Sequence, residues 1–124
     1  MSILDIENLR VAFVQRLSSK PVLRGVSLSI ASGEVCGLVG ESGAGKSMLA
    51  KSILGLLPSA ARVQKGRITF QHSDLLTLKP GALSRIIGHK IALIPQDPMV
   101  SLNPVRRIGV QMCDALCLLS LIHI

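Results

Sequence analysis

The sequence predicts an α/β fold, and three observations carry that expectation. A glycine-rich loop, Gly40-Glu41-Ser42-Gly43-Ala44-Gly45-Lys46-Ser47, stands between the apolar run Val35-Cys36-Gly37-Leu38-Val39 and a segment of helical composition over residues 48–57. Two loosely alternating stretches precede it, near residues 3–13 and 22–30. A second short apolar run, Ile91-Ala92-Leu93-Ile94, follows and is halted by Pro95. An alternating pair, then a buried strand, a glycine loop, a helix and another buried strand is the order of a mixed sheet with helices packed on it.

Each element has its own warrant. Ile3, Ile6, Leu9, Val11 and Phe13 recur among polar residues, which predicts a strand over 3–13, placed at a sheet edge. Residues 14–20 read as a loop. Val26, Leu28 and Ile30 share one face of a second strand, with Ser27 and Ser29 on the other. Ala31-Ser32-Gly33-Glu34 is a tight turn, so the two strands form an antiparallel pair that leads into a buried strand at 35–39. The helix after the glycine loop is expected to run to Leu57, because Pro58 disfavours helix at the residue before it. A basic loop over 58–66, a short strand over 66–70, a turn at Pro80-Gly81 and a short helix over 81–87 follow, then the buried strand at 91–94. Pro95, Pro98 and Pro104 make residues 95–104 an ordered, non-helical connector. Ile108, Met112, Ala115, Leu116 and Leu119 recur at helical spacing within 105–121.

The loop carries the chemistry. Its pattern is G-x-x-x-x-G-K-S, the Walker A phosphate-binding loop. Glycines at 40, 43 and 45 free the backbone to approach a ligand with its N–H groups turned inward as an anion nest. A helix starting there adds unpaired N–H groups and the positive end of its dipole. Lys46 is expected on the β- and γ-phosphates and Ser47 on a magnesium ion. All eight residues, Gly40, Glu41, Ser42, Gly43, Ala44, Gly45, Lys46 and Ser47, are assigned to binding a nucleoside triphosphate with Mg²⁺.

Composition bounds the rest. The 124 residues suit one domain, and 48% hydrophobic content with a mean hydropathy of +0.52 excludes a disordered chain. Phe13 and Phe70 are the only aromatic residues, so the core is expected to be aliphatic. Fourteen Lys and Arg against seven Asp and Glu give a net charge of +7. The basic residues are scattered, densest at Arg62, Lys65, Arg67 and at Arg106-Arg107. Without interleaved aromatics they read as solvated faces rather than a nucleic-acid surface. Cys36, Cys113 and Cys117 offer no disulfide framework, which suits a reducing compartment. Cys36 is expected in the core. Cys113 and Cys117 can share a helix face, but with only His123 near them they make too small a ligand set for zinc. Asp5 and Glu7 interrupt the N-terminus, so no signal peptide is visible, and residues 115–124 are too short an apolar run to span a bilayer.

Three segments together resemble the nucleotide-binding subunit of ATP-binding cassette (ABC) transporters, in the group that imports dipeptides, oligopeptides and nickel. They are Leu23-Arg24-Gly25-Val26-Ser27-Leu28 before Gly33-Glu34, the loop at 40–47, and Ile94-Pro95-Gln96-Asp97-Pro98-Met99-Val100-Ser101-Leu102-Asn103-Pro104. The resemblance covers residues 3–116. It implies the N-terminal part of a P-loop NTPase, an ABC-type nucleotide-binding domain with an antiparallel β subdomain and an incomplete core sheet. By position alone Gln96 is a loop glutamine facing solvent. The resemblance instead makes it the Q-loop residue that senses Mg²⁺ and the γ-phosphate. It also sets Phe13 at the aromatic position that stacks on adenine, although Phe13 fits the core side of an edge strand equally well. The cofactors implied are ATP and Mg²⁺. The partners implied are membrane-spanning permease subunits docked near the Q-loop and a second nucleotide-binding subunit, in a homo- or heterodimer, with no nucleic acid. The place implied is the cytoplasmic face of the membrane, held peripherally.

The departures are equally definite. The sequence has no Leu-Ser-Gly-Gly-Gln signature, no strand ending in Asp-Glu and no switch histidine; His72, His89 and His123 stand in other contexts. No complete catalytic set is therefore expected, because the family's Asp-Glu pair holds Mg²⁺ and polarises the attacking water. The chain is expected to be an N-terminal fragment, with 1–116 family-like and 117–124 an apolar tail of foreign origin. Three functions follow. The first is an ATP-binding part of an ATP-hydrolysing subunit that energises import of peptides or nickel. The second is a non-hydrolysing nucleotide-binding or docking module. The third is a DNA-maintenance ATPase of the same superfamily.

Overall fold

Alternation over the first 31 residues builds the sheet. The computed structural model describes residues 1–16 and 18–119. β1 (Ser2–Gln15) and β2 (Ser18–Ala31) form a long antiparallel hairpin, β3 (Ala61–Phe70) pairs with the other side of β1, and β4 (Ser73–Asp74) closes the order β2-β1-β3-β4. Ile6, Leu9, Val11 and Ile68 are fully enclosed, and Leu4, Leu23, Ala61, Phe70 and Leu75 join them in the core. Each large aliphatic side chain buried this way contributes about 2 kcal/mol. The core is aliphatic, as its composition requires, with Phe70 the one aromatic inside it.

The alternation slips between Ile6 and Leu9, and the slip has a cause. Both are buried although three residues apart, because Asn8 takes a positive φ of 44° and turns the strand so that Leu9 faces the core. The register of β1 shifts at this level against both neighbours. The neighbours accommodate it with glycines. Gly66 has φ 111°, and a Cβ there would lie 2.6 Å from the Cα of Leu9 and 2.8 Å from the carbonyl oxygens of Asn8 and Glu7. Those are backbone atoms of the next strand, so no side chain fits.

Several expectations change. β1 is an interior strand, not an edge, because residues 61–65, expected in a basic loop, are the first half of β3. Their alternation is real, with Ala61 buried, Val63 half-buried and Arg62 and Gln64 exposed. Cationic residues and the left-handed Gly66 disguise it. Most of the stretch 14–20 is likewise hairpin strand.

α1 (Lys46–Ile53) adds Leu49 to the core, followed by Leu54 just past its end. It stops at Gly55, not at Pro58. Gly55 has φ 67°, the N–H of Leu56 donates to the Lys51 carbonyl at 2.8 Å and the N–H of Gly55 to that of Ser52 at 3.3 Å, a Schellman ending. The turn at 31–34 forms as expected: the N–H of Glu34 donates to the Ala31 carbonyl, and the Glu34 carboxylate accepts the Ala31 N–H at 2.6 Å.

The two runs expected as buried strands are not strands. Residues 35–39 carry no ladder, Val35 and Val39 are 97% and 94% exposed, and Cys36 is exposed rather than in the core. Residues 91–94 make one parallel bridge, Ile91 to Ile87, and leave Ile94 94% exposed. A run apolar on both faces becomes a strand only between two partners. Among the described residues no strand lies beside either run.

Residues Met1–Leu83 form one compact unit, and a second begins at Ser84. α2 (Pro80–Ile86) spans that boundary. Within the second unit the connector is not wholly non-helical. Residues Pro98–Ser101 make one turn, α3, because Asp97 caps it by accepting the Met99 N–H at 2.9 Å and Pro98 fits the first helical turn. α4 (Ile108–Leu118) follows, shorter than the expected 105–121. Gln111 on α4 accepts the Asn103 N–H and donates to the carbonyls of Asn103 and Arg106, and Arg106 pairs with Asp114 at 2.6 Å. Residues 120–124, including His123 and most of the expected tail, lie outside the described residues.

Candidate functional site

The phosphate loop is the segment that joins the exposed run 35–39 to α1. The turn Glu41-to-Ala44 is closed by the Ala44 N–H on the Glu41 carbonyl at 3.1 Å. Gly43 and Gly45 both take positive φ, 83° and 94°, the left-handed conformation glycine adopts without a Cβ penalty. Gly45 is the N-cap of α1, and no side chain caps the helix. Its first N–H groups are therefore unpaired and presented with the positive end of the dipole.

Lys46 closes the loop from above. Its Nζ donates to the carbonyl oxygens of Gly40 and Glu41, each at 2.7 Å, so the ammonium is held at the loop rather than extended into solvent. The aliphatic stem of Lys46 runs about 4 Å from where a Cβ on Gly40 would stand, and the Ala44 Cβ comes to 3.2 Å of that point. Ser47 is exposed, and its hydroxyl makes no hydrogen bond among the described residues. Glu41 and Ser42 are exposed on the outer rim.

The sheet brings a second group to the same place. Phe13, half-buried on β1, lines a cleft of about 620 Å³ with Pro21, Val22 and Leu23 of β2 and with Gly43 and Ala44 of the loop. The structure thus brings the aromatic ring and the phosphate loop onto one cleft within the first unit. Lys20 and Arg24 also line it. Reading residues 14–20 as a loop hid Lys20. In the hairpin it is the direct cross-strand partner of Phe13, a pairing that follows once the hairpin is extended to Gln15 and Ser18.

Gln96 belongs to the second unit, where it is exposed on the bend before α3. Among the described residues no three His, Cys, Asp or Glu side chains gather as a metal cluster, and Cys113 and Cys117 are both exposed on α4. Among the described residues no helix is long and apolar enough to cross a membrane.

The first unit thus holds the cleft with its aromatic ring and two loop residues, the uncapped start of α1 and the Lys46 ammonium on the loop carbonyls.

The chain is 41% identical to the dipeptide transport ATP-binding protein of Haemophilus influenzae over 116 residues, which is 94% of this chain and 35% of that protein. It is 43% identical to the dipeptide transport ATP-binding protein of Bacillus subtilis over 92% of this chain and 34% of that one. It is 38% identical to a peptide transport system ATP-binding protein of Salmonella typhimurium over 90% of this chain and 34% of that one. The chain thus spans about a third of the length of these curated relatives. The family description "ABC transporter" matches residues 23–111, from the middle of β2 through the loop, α1 and the Gln96 segment into α4. That match takes in the greater part of the chain, and the protein belongs to the ABC transporter family.

Proposed function

We propose that this chain binds ATP with Mg²⁺ through residues 40–47, and that it is the phosphate-loop part of a subunit that energises peptide transport across a membrane. The observation that carries the reading is the shared cleft of Phe13, Gly43 and Ala44. In it the base would stack on Phe13 and the phosphates would lie in the nest of Gly43 and Gly45. Lys46 would neutralise the outer phosphates as a point charge. The exposed Ser47 hydroxyl would supply one oxygen to Mg²⁺, an ion that favours oxygen ligands and keeps several waters. The family resemblance alone adds Gln96 as a further residue for this ion. A second nucleotide-binding subunit and membrane-spanning permease subunits near the Gln96 segment are the partners this reading implies. The peptide relatives support a peptide cargo, and a peripheral place on the membrane follows from it.

A second reading is favoured by one specific fact. The sequence has no Asp-Glu pair ending a strand and no Leu-Ser-Gly-Gly-Gln segment. The chain by itself then binds nucleotide without turning it over, because nothing polarises the attacking water.

One experiment separates the readings. A fluorescent ATP analogue is titrated into the chain and into Lys46→Ala, with phosphate release followed in parallel. Saturable, Mg²⁺-dependent binding is expected, weakened at least about tenfold in Lys46→Ala, since contacts from a charged donor are worth about 1.5–3 kcal/mol. Binding without phosphate release supports the second reading for this chain. Absence of binding in the folded chain removes both.

A further inference from the structure

Lys20 shares a face of the sheet with Phe13, and a bulge puts it there. From Ala12 to Gln15 the register of β1 against β2 is unbroken, with Lys20 directly opposite Phe13. Residues so paired point to the same face, their Cβ atoms about 4.5–5.5 Å apart. Val11 is opposite Leu23 and Ala12 opposite Pro21, so Val22 is an extra residue on β2. Lys20 and Leu23, three apart in sequence, would point to opposite faces of a regular strand. With Val22 between them as the bulge, both stand on the face of Val11 and Phe13, which are two apart on a stretch of β1 that keeps its register against β3 as well. That face carries the phosphate loop, because a Cβ on Gly45 would come to 2.8 Å of the Leu23 Cδ2 and 3.9 Å of the Val22 Cγ1. Lys20 thus starts beside the ring, on the side where the loop rests. It is exposed, lines the cleft with Phe13, Gly43 and Ala44, and makes no ion pair among the described residues. Arg24, the other cation on the cleft, follows the buried Leu23 and so belongs to the opposite face.

We propose that Lys20 binds the α-phosphate of the nucleotide, as a second lysine of the site beside Lys46. This role rests on the nucleotide reading of the cleft proposed above, in which the base stacks on Phe13 and the outer phosphates meet Lys46. The ribose and the α-phosphate then cross the stretch between the ring and Gly43. Lys20 is anchored at the ring end of that stretch, and its flexible four-carbon stem lets the ammonium follow it. The α-phosphate is the one group there that carries a charge, and an ammonium makes its stronger hydrogen bonds to charged acceptors. The two lysines then divide the phosphates between them. Lys46 reaches the outer ones from the start of α1, and Lys20 meets the inner one from the sheet. A purely structural Lys20 would only lay its stem over Phe13, and its ammonium would be dispensable.

The test titrates ATP with Mg²⁺, and separately inorganic triphosphate with Mg²⁺, into the 124-residue chain and its variants by calorimetry, with urea unfolding alongside. Lys20→Met keeps an apolar stem beside the ring and removes the ammonium. It should bind both ligands about tenfold more weakly, the low end of what a hydrogen bond to a charged group is worth, with stability unchanged. Lys20→Arg keeps the charge and should bind both nearly as the parent chain does. Lys65→Gln removes an equal charge from an exposed position outside the cleft and should change affinity far less. The proposal is overturned if Lys20→Met binds both ligands like the parent chain, or if Lys65→Gln loses as much. It is overturned equally if ATP alone weakens, which places the ammonium on the base or ribose, or if affinity falls only together with stability. Failure of the nucleotide reading itself looks different: the folded parent chain then binds neither ligand, and Lys46→Ala changes nothing.

Discussion

Gly45 is packed against Leu23: a Cβ added at position 45 would fall 2.8 Å from the Leu23 Cδ2 and 3.5 Å from the Val22 carbonyl oxygen. The glycine that caps α1 is thus the point where the phosphate loop rests on β2. Gly45→Ala meets both a left-handed backbone, which costs about 1–2 kcal/mol for a residue with a Cβ, and that contact. Gly43→Ala meets the backbone cost alone, since nothing lies within 4 Å of its Cβ position. The expected outcome in urea unfolding is a larger loss of stability for Gly45→Ala than for Gly43→Ala. Nucleotide titration should show both weakened, the first by more than about tenfold.

Phe13 has two competing roles that a binding experiment can divide. If the ring receives the base, Phe13→Ala lowers affinity for ATP by about tenfold or more, since stacking of a base on an aromatic side chain is worth about 1–3 kcal/mol. Affinity for inorganic triphosphate should then stay unchanged, and Phe13→Tyr should keep both. If the ring only packs against the sheet, ATP and triphosphate affinities fall together with stability. Calorimetric titration of the two ligands against the three proteins gives the answer.

Much of this arrangement was legible in the sequence, and the failures share a cause. Glycine spacing placed the loop, and alternation placed β1 and β2, because those signals are local; the helix expected over 81–87 is α2, which begins at Pro80, so the turn expected at Pro80-Gly81 is its first two residues. Residues 61–65 read as a loop because basic side chains and the left-handed Gly66 interrupt the alternation. The stop of α1 at Gly55 was missed because Pro58 is the louder signal, although Gly55 satisfies the last carbonyls. The runs at 35–39 and 91–94 read as strands because their composition is that of buried strands, and composition says nothing about whether partners are present.

Asp5 gives the sheet a pH dependence of known sign. The Ser29 hydroxyl beside it, and after it that of Ser2, favours the charged carboxylate and holds its pKa below the ordinary value of 3.8. A carboxyl with a lowered folded-state pKa adds stability above its unfolded value, and that addition is lost as pH falls through the lower folded value. The stability of the chain should therefore decline below about pH 4 more steeply than that of Asp5→Asn. The two curves should converge in strong acid. Thermal unfolding from pH 6 downward measures this, and parallel curves would deny the Asp5 carboxylate its hydroxyl partners in solution.

The final prediction concerns the entry to the phosphate loop. Ile68 is fully enclosed and directly opposite Ile6, so Ile68→Ala should cost about 2–5 kcal/mol, a large part of the stability of a domain this size. Val39, the residue before the loop, is as apolar but 94% exposed, so Val39→Ser should change stability by less than about 0.5 kcal/mol. Urea unfolding of both variants makes the comparison. A small effect at Val39 means that the segment leading into Gly40 is unsupported in this chain. The loop is then held from its far side, by Gly45 against Leu23 and by α1. A cost at Val39 close to that at Ile68 would mean that residues 35–39 are packed in solution, by a second copy or by a rearranged sheet. The strand expected from composition would then exist after all. The size of the Val39 effect therefore decides whether the nest at Gly43 and Gly45 is anchored at one end or at both, and nucleotide affinity should rise with the second anchor.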